Sequence, residues 1–312
     1  MPPLEAMKRA RQVIRGVARH TPLVPAAPPL SATDTWLKLE TFQPTTSFKI
    51  RGIFHAVSRL SEERRSAGLL TVSAGNTAQA LAWAGRHFGV PAQSLMPKTA
   101  PRAKIEAVES HGGSVRLVET EILFRFLRQR EWESEPAAFI HPWIEPDVML
   151  GHASLGLELV EDLDSIQSVF VPVGGGGLMA GVASAVKSVA PHVRIYAVEP
   201  ATCAALHQSL IEGRAVAAPC ETMCDGVAVP YLTPEIFPLL RQLVDETVLV
   251  PEEEVAQTIR DLAFHQKVVA EPSGALALAA ARRIAPADRG RSACIVTGGS
   301  IDPRLLCRIL SA

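Results

Sequence analysis

The sequence lacks the features that mark membrane proteins and nucleic-acid-binding proteins. Its 312 residues contain no apolar run long enough to cross a bilayer. Lysine and arginine number 31 against 32 for aspartate and glutamate, so there is no basic excess to attract nucleic acid. The N-terminal segment is basic but has no apolar core, which favours an amphipathic first helix over a signal peptide. These absences indicate a cytoplasmic enzyme with a small-molecule substrate and no nucleic-acid or membrane partner.

Cysteine is also scarce, and its spacing is uninformative. The five cysteines are Cys203, Cys220, Cys224, Cys294 and Cys307. Only Cys220 and Cys224 are close in sequence, and no histidine pair lies near them at the spacing of a metal site. We therefore expect these cysteines to be free thiols in a reducing compartment, and we expect no bound metal.

Strand-like and helix-like stretches alternate from residue 69 onward. Strands are predicted at 69–73, 92–96, 115–118 and 137–140, with helices between them at 78–88, 102–111 and 121–133. A second series has strand-like runs at 168–173, 193–198, 247–250 and 292–296. Repeated units of this kind predict an α/β protein with two open, mostly parallel, twisted sheets flanked by helices.

A rigid connection separates the two series. Residues 141–146 read His-Pro-Trp-Ile-Glu-Pro, and their two prolines oppose a continuous helix. We place a domain crossing there. The predicted large domain comprises residues 1–63 and 145–312, and the predicted small domain comprises residues 64–144.

Four consecutive glycines form the most informative motif of the chain. Gly174, Gly175, Gly176 and Gly177 lie between the predicted strand 168–173 and a predicted helix over 178–189. A glycine loop before a helix N-terminus lets backbone N–H groups converge on a phosphate. The spacing of Gly175, Gly177 and Ala180, with Glu199 after the next strand, also fits a dinucleotide fingerprint. This tetraglycine loop alone leaves both kinds of phosphate ligand open.

A lysine at a predicted helix start is the second candidate site. An apolar run from Leu37 leads through a hydroxyl-rich turn, where Thr46 or Ser47 is a plausible N-cap, to Lys49 in the first helical turn. The positive end of a helix disfavours a charged amine and lowers its pKa, as a lysine that forms a Schiff base requires. An isolated lysine is more often a solvated surface residue, so this motif needs support from elsewhere in the chain.

Several motifs in order resemble one known family. The segment Thr-Ser-Phe-Lys-Ile-Arg-Gly around Lys49, the Ser-Ala-Gly-Asn-Thr loop at 73–77, the tetraglycine loop and Thr-Gly-Gly-Ser at 297–300 are similar to those of pyridoxal-phosphate enzymes of fold type II. Within this family they resemble the serine/threonine dehydratase and serine racemase group. The match extends from residue 20 to residue 302 and outweighs the dinucleotide alternative.

The resemblance implies a role for each motif, with the cofactor in the cleft between the two domains. Lys49 would hold pyridoxal 5'-phosphate covalently, Phe48 would pack beside its ring, and the tetraglycine loop would bind its phosphate. Asn76 would hydrogen-bond the ring hydroxyl, and Thr297 would face the pyridine nitrogen. The substrate carboxylate would bind backbone N–H groups of the loop formed by Ser73, Ala74, Gly75, Asn76 and Thr77.

Some positions depart from the family pattern. Ala74 stands where serine racemases carry a second serine that acts as a base, which makes two-base racemisation doubtful. Trp143 replaces the asparagine of the racemases after the His-Pro pair. The family's cation site would begin at Glu199, but its second carboxylate position is Ala205, so we predict no metal.

These motifs predict a dehydratase that removes water and ammonia from L-threonine or L-serine to give a 2-oxo acid. A hydroxyaspartate or bulkier 3-hydroxy amino acid is the nearest competing substrate. A β-replacement enzyme is a second competing function, and a non-catalytic ligand-binding protein is a third. The resemblance also implies a homodimer.

Overall fold

The computed structural model describes residues 1–30 and 34–311, which form two β-sheets flanked by helices. Strands are numbered along the chain. The large sheet has the order β1 (Leu23–Pro25), β2 (Thr35–Leu39), β10 (Ser292–Val296), β7 (Ser168–Pro172), β8 (Arg194–Pro200) and β9 (Glu246–Val250). The small sheet has the order β5 (Ser114–Val118), β4 (Ala92–Pro97), β3 (Leu69–Val72) and β6 (Ala138–Phe139). Only β1 and β2 pair antiparallel among these described strands, so the α/β prediction of two mostly parallel sheets is confirmed.

Helices cover both sheets. The N-terminal half contains α1 (Leu4–Val13), α2 (Lys49–Arg59), α3 (Glu62–Ser66), α4 (Asn76–Phe88), α5 (Arg102–Ser110), α6 (Thr120–Arg128) and α7 (Pro146–Asp162). The C-terminal half contains α8 (Gly177–Val189), α9 (Ala205–Glu212), α10 (Phe237–Leu243), α11 (Glu252–Asp261), α12 (Pro272–Arg283), α13 (Pro286–Arg289) and α14 (Pro303–Ser311). Within the described residues, no helix has the length and apolar character needed to cross a membrane. The domain limits at residues 63 and 145 stay a proposal.

The eight strand-like runs of the two βα series all correspond to strands. The run 292–296 matches β10 at both ends, and the others differ by one to three residues. The short strand β1 was not predicted, because it lies in a proline-rich stretch and pairs only with β2. These strands were predictable because buried strands of a parallel sheet are short apolar runs, and every residue of β3, β7 and β10 is buried.

The N-cap prediction for α2 is wrong. The helix begins at Lys49 after Phe48, and no side chain caps it. Residues 46–48 instead pair with the chain that leaves β10: the Phe48 N–H donates to the Thr297 carbonyl at 3.0 Å, and the Gly299 N–H donates to the Thr46 carbonyl at 3.0 Å. This pairing engages the backbone in place of a capping side chain and fixes Lys49 beside Thr297.

A buried cluster of charges holds α2 against its neighbours. Arg51 is 1% exposed, and its guanidinium donates to Glu40 at 2.7 Å and to Glu158 of α7 at 2.6 Å. Lys38 of β2 reaches the other oxygen of Glu158 at 2.8 Å. Although burial alone would raise the pKa of Glu158, Arg51 and Lys38 hold it below its ordinary value.

We predict that Arg51→Met lowers the free energy of unfolding by about 3–5 kcal/mol, because two buried carboxylates then lose a cationic partner. Urea unfolding followed by circular dichroism measures this loss. The matched control is Arg9→Met, which removes an exposed arginine from α1. A loss for Arg51→Met no larger than that of the control would contradict this account of the buried cluster.

Candidate active site

A cavity of about 330 Å³ opens where strands of both sheets end. Val72 at the end of β3 and Pro172 at the end of β7 line it, as does Thr297 directly after β10. The carboxyl ends of parallel strands are the usual ligand-binding edge of an α/β sheet. The structure thus brings the candidate residues of the sequence to one place. Those that line the cavity are Phe48, Lys49, Ser73, Ala74, Gly75, Asn76, Thr77, Gly174, Gly175, Gly176, Gly177 and Thr297.

The tetraglycine loop is a cradle that only glycine can form. A Cβ atom on Gly175 would lie 2.3 Å from Cγ of Trp143, and one on Gly174 would lie 2.9 Å from Cα of Val227. Gly176 has φ of 92°, and Gly177 is the first residue of α8. The loop therefore presents bare backbone and a helix N-terminus to the cavity, which suits a phosphate group.

The Lys49 amine lies in the same cavity. Burial lowers its pKa to about 8, and the negative charge of Glu271 partly opposes that effect. The sequence predicted a lowered pKa from the helix N-terminus, but desolvation is the main cause. Lys49 Nζ lies 5.0 Å from the centre of the Phe48 ring. Phe48 in turn packs against His152, with 4.8 Å between the ring centres.

The loop at 73–77 is a compact turn at the start of α4. The Gly75 N–H donates to Oγ of Ser73 at 3.1 Å, and Asn76 begins the helix. Nδ2 of Asn76 donates to Oε1 of Glu271 at 2.7 Å, while Oδ1 of Asn76 is buried without a partner among the described residues. Asn76 therefore has a buried acceptor left for another group, and its predicted contact with a ring hydroxyl stays a prediction.

Glu271 is a site residue to which the sequence assigned no role. It is 3% exposed and lines the cavity. Burial raises its pKa to about 7, Asp225 adds to the rise, and the hydrogen bond from Asn76 opposes it. The signal was present in the family-like segment Glu271-Pro272-Ser273-Gly274-Ala275, but nothing in that segment tells which partner the carboxylate meets.

An ion pair joins the two sides of the cavity. Lys104 of α5, which packs beside the small sheet, contacts Asp225 in the turn Asp225–Val227 on the large-sheet side. Both residues line the cavity. They are 121 positions apart, so sequence spacing could not have paired them.

The prediction that all cysteines are free thiols is wrong for two of them. Cys203 and Cys220 form a disulfide, whereas Cys224, Cys294 and Cys307 are free. The Glu221 N–H donates to the Thr202 carbonyl at 3.2 Å, and this backbone contact brings the two cysteines together. The close-spaced pair Cys220 and Cys224 was a misleading signal.

Glu199 does not serve as a ribose-binding acid. It is 1% exposed, does not line the cavity, and accepts the N–H groups of Leu206 and His207 at 2.8 Å each. Burial raises its pKa to about 7, and these two hydrogen bonds oppose the rise. The dinucleotide alternative loses the residue on which it depended. In the described part of the chain, no group of three metal-ligating side chains is arranged around a common point.

The residues that line the cavity indicate a class of protein. The tetraglycine loop, which suits a phosphate, lines one cavity together with a desolvated lysine amine and the hydroxyl of Thr297. Residues of this kind fit a phosphorylated aldehyde that condenses with the amine. The site is therefore that of an enzyme with such a cofactor.

Comparison with known proteins gives the family. The family model described as "Pyridoxal-phosphate dependent enzyme" matches residues 14–298. The L-threonine ammonia-lyase of Thermotoga maritima is 38% identical over 99% of this chain and 78% of its own length. The serine racemase of Schizosaccharomyces pombe is 32% identical over 100% of this chain and 98% of its own.

Solved structures agree with this result. Maize serine racemase superposes with a TM-score of 0.91 at 31% identity, covering 99% of this chain and 96% of the other. The processed form of threonine deaminase isoform 2 from Solanum lycopersicum gives a TM-score of 0.89 at 33% identity, covering 99% and 92%. The chain belongs to the pyridoxal-phosphate-dependent enzymes of fold type II, and the cofactor and family predictions are confirmed.

We predict that Gly175→Ala weakens pyridoxal phosphate binding at least about tenfold, because the new methyl group collides with Trp143 and displaces the cradle. Titration of the cofactor-free protein, followed by visible absorbance, measures the dissociation constant. Gly213→Ala is the control for general backbone strain: its φ is 69°, but no atom lies within 4 Å of its added Cβ. An unchanged constant in Gly175→Ala would refute the cradle.

We also predict that Lys49 in the cofactor-free protein reacts with an acylating reagent with a midpoint near pH 8, where its pKa lies. Below that pH the amine is protonated and unreactive, whereas an ordinary lysine has a midpoint of about 10.4. Peptide mass spectrometry across a pH series gives the titration curve. Glu271→Gln should lower the midpoint further, because the opposing negative charge is gone. A midpoint like that of an ordinary lysine would contradict the desolvated amine.

Proposed function

We propose that this protein is a pyridoxal-phosphate-dependent ammonia-lyase. It removes water and ammonia from L-threonine, L-serine or a related 3-hydroxy amino acid and gives a 2-oxo acid. The observation that carries this proposal is that the desolvated Lys49 amine and the tetraglycine loop line one cavity. The names of the relatives, L-threonine ammonia-lyase and serine racemase, support the reaction class.

Different residues of the site would hold different parts of the cofactor. Lys49 would bind its carbonyl carbon, the tetraglycine loop would bind its phosphate, and Phe48 would pack beside its ring. Asn76 would hydrogen-bond the ring hydroxyl, and Thr297 would hydrogen-bond the pyridine nitrogen. The bound cofactor would supply an electron sink for negative charge at the α-carbon of the substrate. The Thr297 hydroxyl would not supply a proton as a carboxylic acid would, so that sink would be weaker.

Lys49 moves the proton. As the base, its amine would take the α-proton of the substrate at Nζ. A general base works best when its pKa is close to the working pH, and burial brings the pKa of Lys49 to about 8. The substrate carboxylate binds the N–H groups of the loop from Ser73 to Thr77. Ala74 on that loop has no group that could carry a proton, which favours elimination over two-base racemisation.

We further propose that the enzyme is a cytoplasmic homodimer. Two exposed apolar side chains support self-association: Phe42 is 49% exposed and Val269 is 47% exposed. Gly299 lies close to Val269 and to Thr41, the residue before Phe42: a Cβ on Gly299 would lie 2.9 Å from the Val269 carbonyl and 3.4 Å from Cγ2 of Thr41.

We predict that Lys49→Ala lowers the rate of 2-oxobutanoate formation from L-threonine by more than about a thousandfold, because one residue supplies both the cofactor link and the base. The control is Lys98→Ala, which removes an exposed lysine whose Nζ pairs with Glu119 at 2.6 Å. The assay contains no added amine, since small amines could replace the missing base. A residual rate above a thousandth of wild type would reject these roles for Lys49.

A further inference from the structure

The cavity has an apolar end that the proposed cofactor contacts do not use. Val72 of β3, Leu95 of β4, and Leu123 and Leu127 of α6 line it. These four side chains belong to one hydrophobic cluster, against which Trp143 packs. The side chains come from two strands of the small sheet and from α6, so the apolar end is a continuous surface formed by several elements. We call it the apolar wall.

This wall lies between two groups of the proposed site. Val72 directly precedes Ser73, where the loop for the substrate carboxylate begins. The Trp143 ring covers Gly175 in the phosphate cradle, with Cγ 2.3 Å from where a Cβ would be. A substrate whose carboxylate binds the loop at Ser73 would have this wall next to it, so the wall is the surface that its β-substituent would reach.

The charges of the cavity do not favour an acidic substituent. Among the described residues that line it, the lysine and arginine side chains are Lys49 and Lys104. Lys49 would bind the cofactor, and Lys104 is already paired with Asp225. Glu271 and Asp225 also line the cavity, and they offer a substrate carboxylate no cationic partner. A second carboxylate on the substrate would lie against apolar side chains that cannot hydrogen-bond it, and both lysines among the described lining residues are already engaged.

We propose that the preferred substrates are 3-hydroxy amino acids whose β-substituent is neutral, apolar and larger than the methyl group of threonine. The proposal rests on the function proposed above and narrows its substrate class. Leu123 and Leu127 are the specificity-determining residues, because they present apolar surface where the β-substituent lies. 3-Hydroxyaspartate, which carries a β-carboxylate, is a poor substrate.

The test compares kcat/KM for four substrates of the cofactor-loaded enzyme by 2-oxo acid formation: L-serine, L-threonine, L-threo-3-phenylserine and L-threo-3-hydroxyaspartate. We expect kcat/KM for 3-phenylserine to exceed that for L-threonine at least about tenfold, as extra apolar contact in a pocket provides. We expect kcat/KM for 3-hydroxyaspartate to fall at least about a hundredfold below that for L-threonine, because a carboxylate against the apolar wall is desolvated without a partner.

A variant pair tests the wall itself. Leu127→Arg places a cation at the apolar end and should raise the kcat/KM ratio of 3-hydroxyaspartate to 3-phenylserine at least about tenfold. Leu117→Arg is the control: Leu117 lies on β5, is 44% exposed and does not line the cavity. Inhibition of wild-type turnover by L-leucine and L-aspartate, which lack a β-hydroxyl, gives a second readout if Leu127→Arg does not fold.

The outcomes separate this inference from the proposed function. Turnover of L-serine or L-threonine, with 3-phenylserine below L-threonine or with 3-hydroxyaspartate equal to or better than 3-phenylserine, would overturn the inference and leave the ammonia-lyase in place. Tighter inhibition by L-aspartate than by L-leucine would overturn it in the same way. Failure of all four substrates to give a 2-oxo acid would overturn both.

Discussion

The contact of one buried arginine with two buried glutamates determines where the site forms. Arg51 joins Glu40, which follows β2, to Glu158 on α7, and it lies two residues after Lys49 on the same helix. A charge taken out of water must be fully paired, so the arginine fixes the helix in one position relative to the large sheet. That position sets Lys49 at the cavity and leaves its amine among protein atoms. The buried cluster thus connects the stability of the fold to the chemistry of the site.

Burial shifts the pKa values of two groups in the site in opposite directions. Burial removes stabilising water from the Lys49 amine and from the Glu271 carboxyl, and it brings the pKa of the first down to about 8 and of the second up to about 7. Both groups therefore have pKa values close to neutral pH, so each can gain or lose a proton there. Asn76 ties the carboxyl to the loop that we propose for the substrate carboxylate. If the loop binds the substrate carboxylate as proposed, the Asn76 amide would couple substrate binding to the charge state of the cavity.

Local signals in the sequence predicted the parts of this protein that depend on neighbouring residues. The strands β3, β7 and β10 were predictable because their apolar runs are short and bounded, and the tetraglycine loop because it joins a strand to a helix. The hydrogen bond from Asn76 to Glu271 and the Lys104–Asp225 pair join residues 195 and 121 positions apart, and no local pattern encodes them. The disulfide was missed for the same reason, since a backbone contact between Thr202 and Glu221 brings its cysteines together. The N-cap prediction for α2 was wrong because backbone pairing with the chain after β10 takes the place of the expected capping hydroxyl.

The most direct test of the account is to find where the cofactor attaches. The purified protein is loaded with pyridoxal phosphate, reduced with borohydride to make the link permanent, and digested for peptide mass spectrometry. The account predicts one pyridoxyl-modified residue, Lys49, because its desolvated amine lines the same cavity as the tetraglycine loop. A label on Lys104, which lines the same cavity, or no label at all, would contradict the central claim.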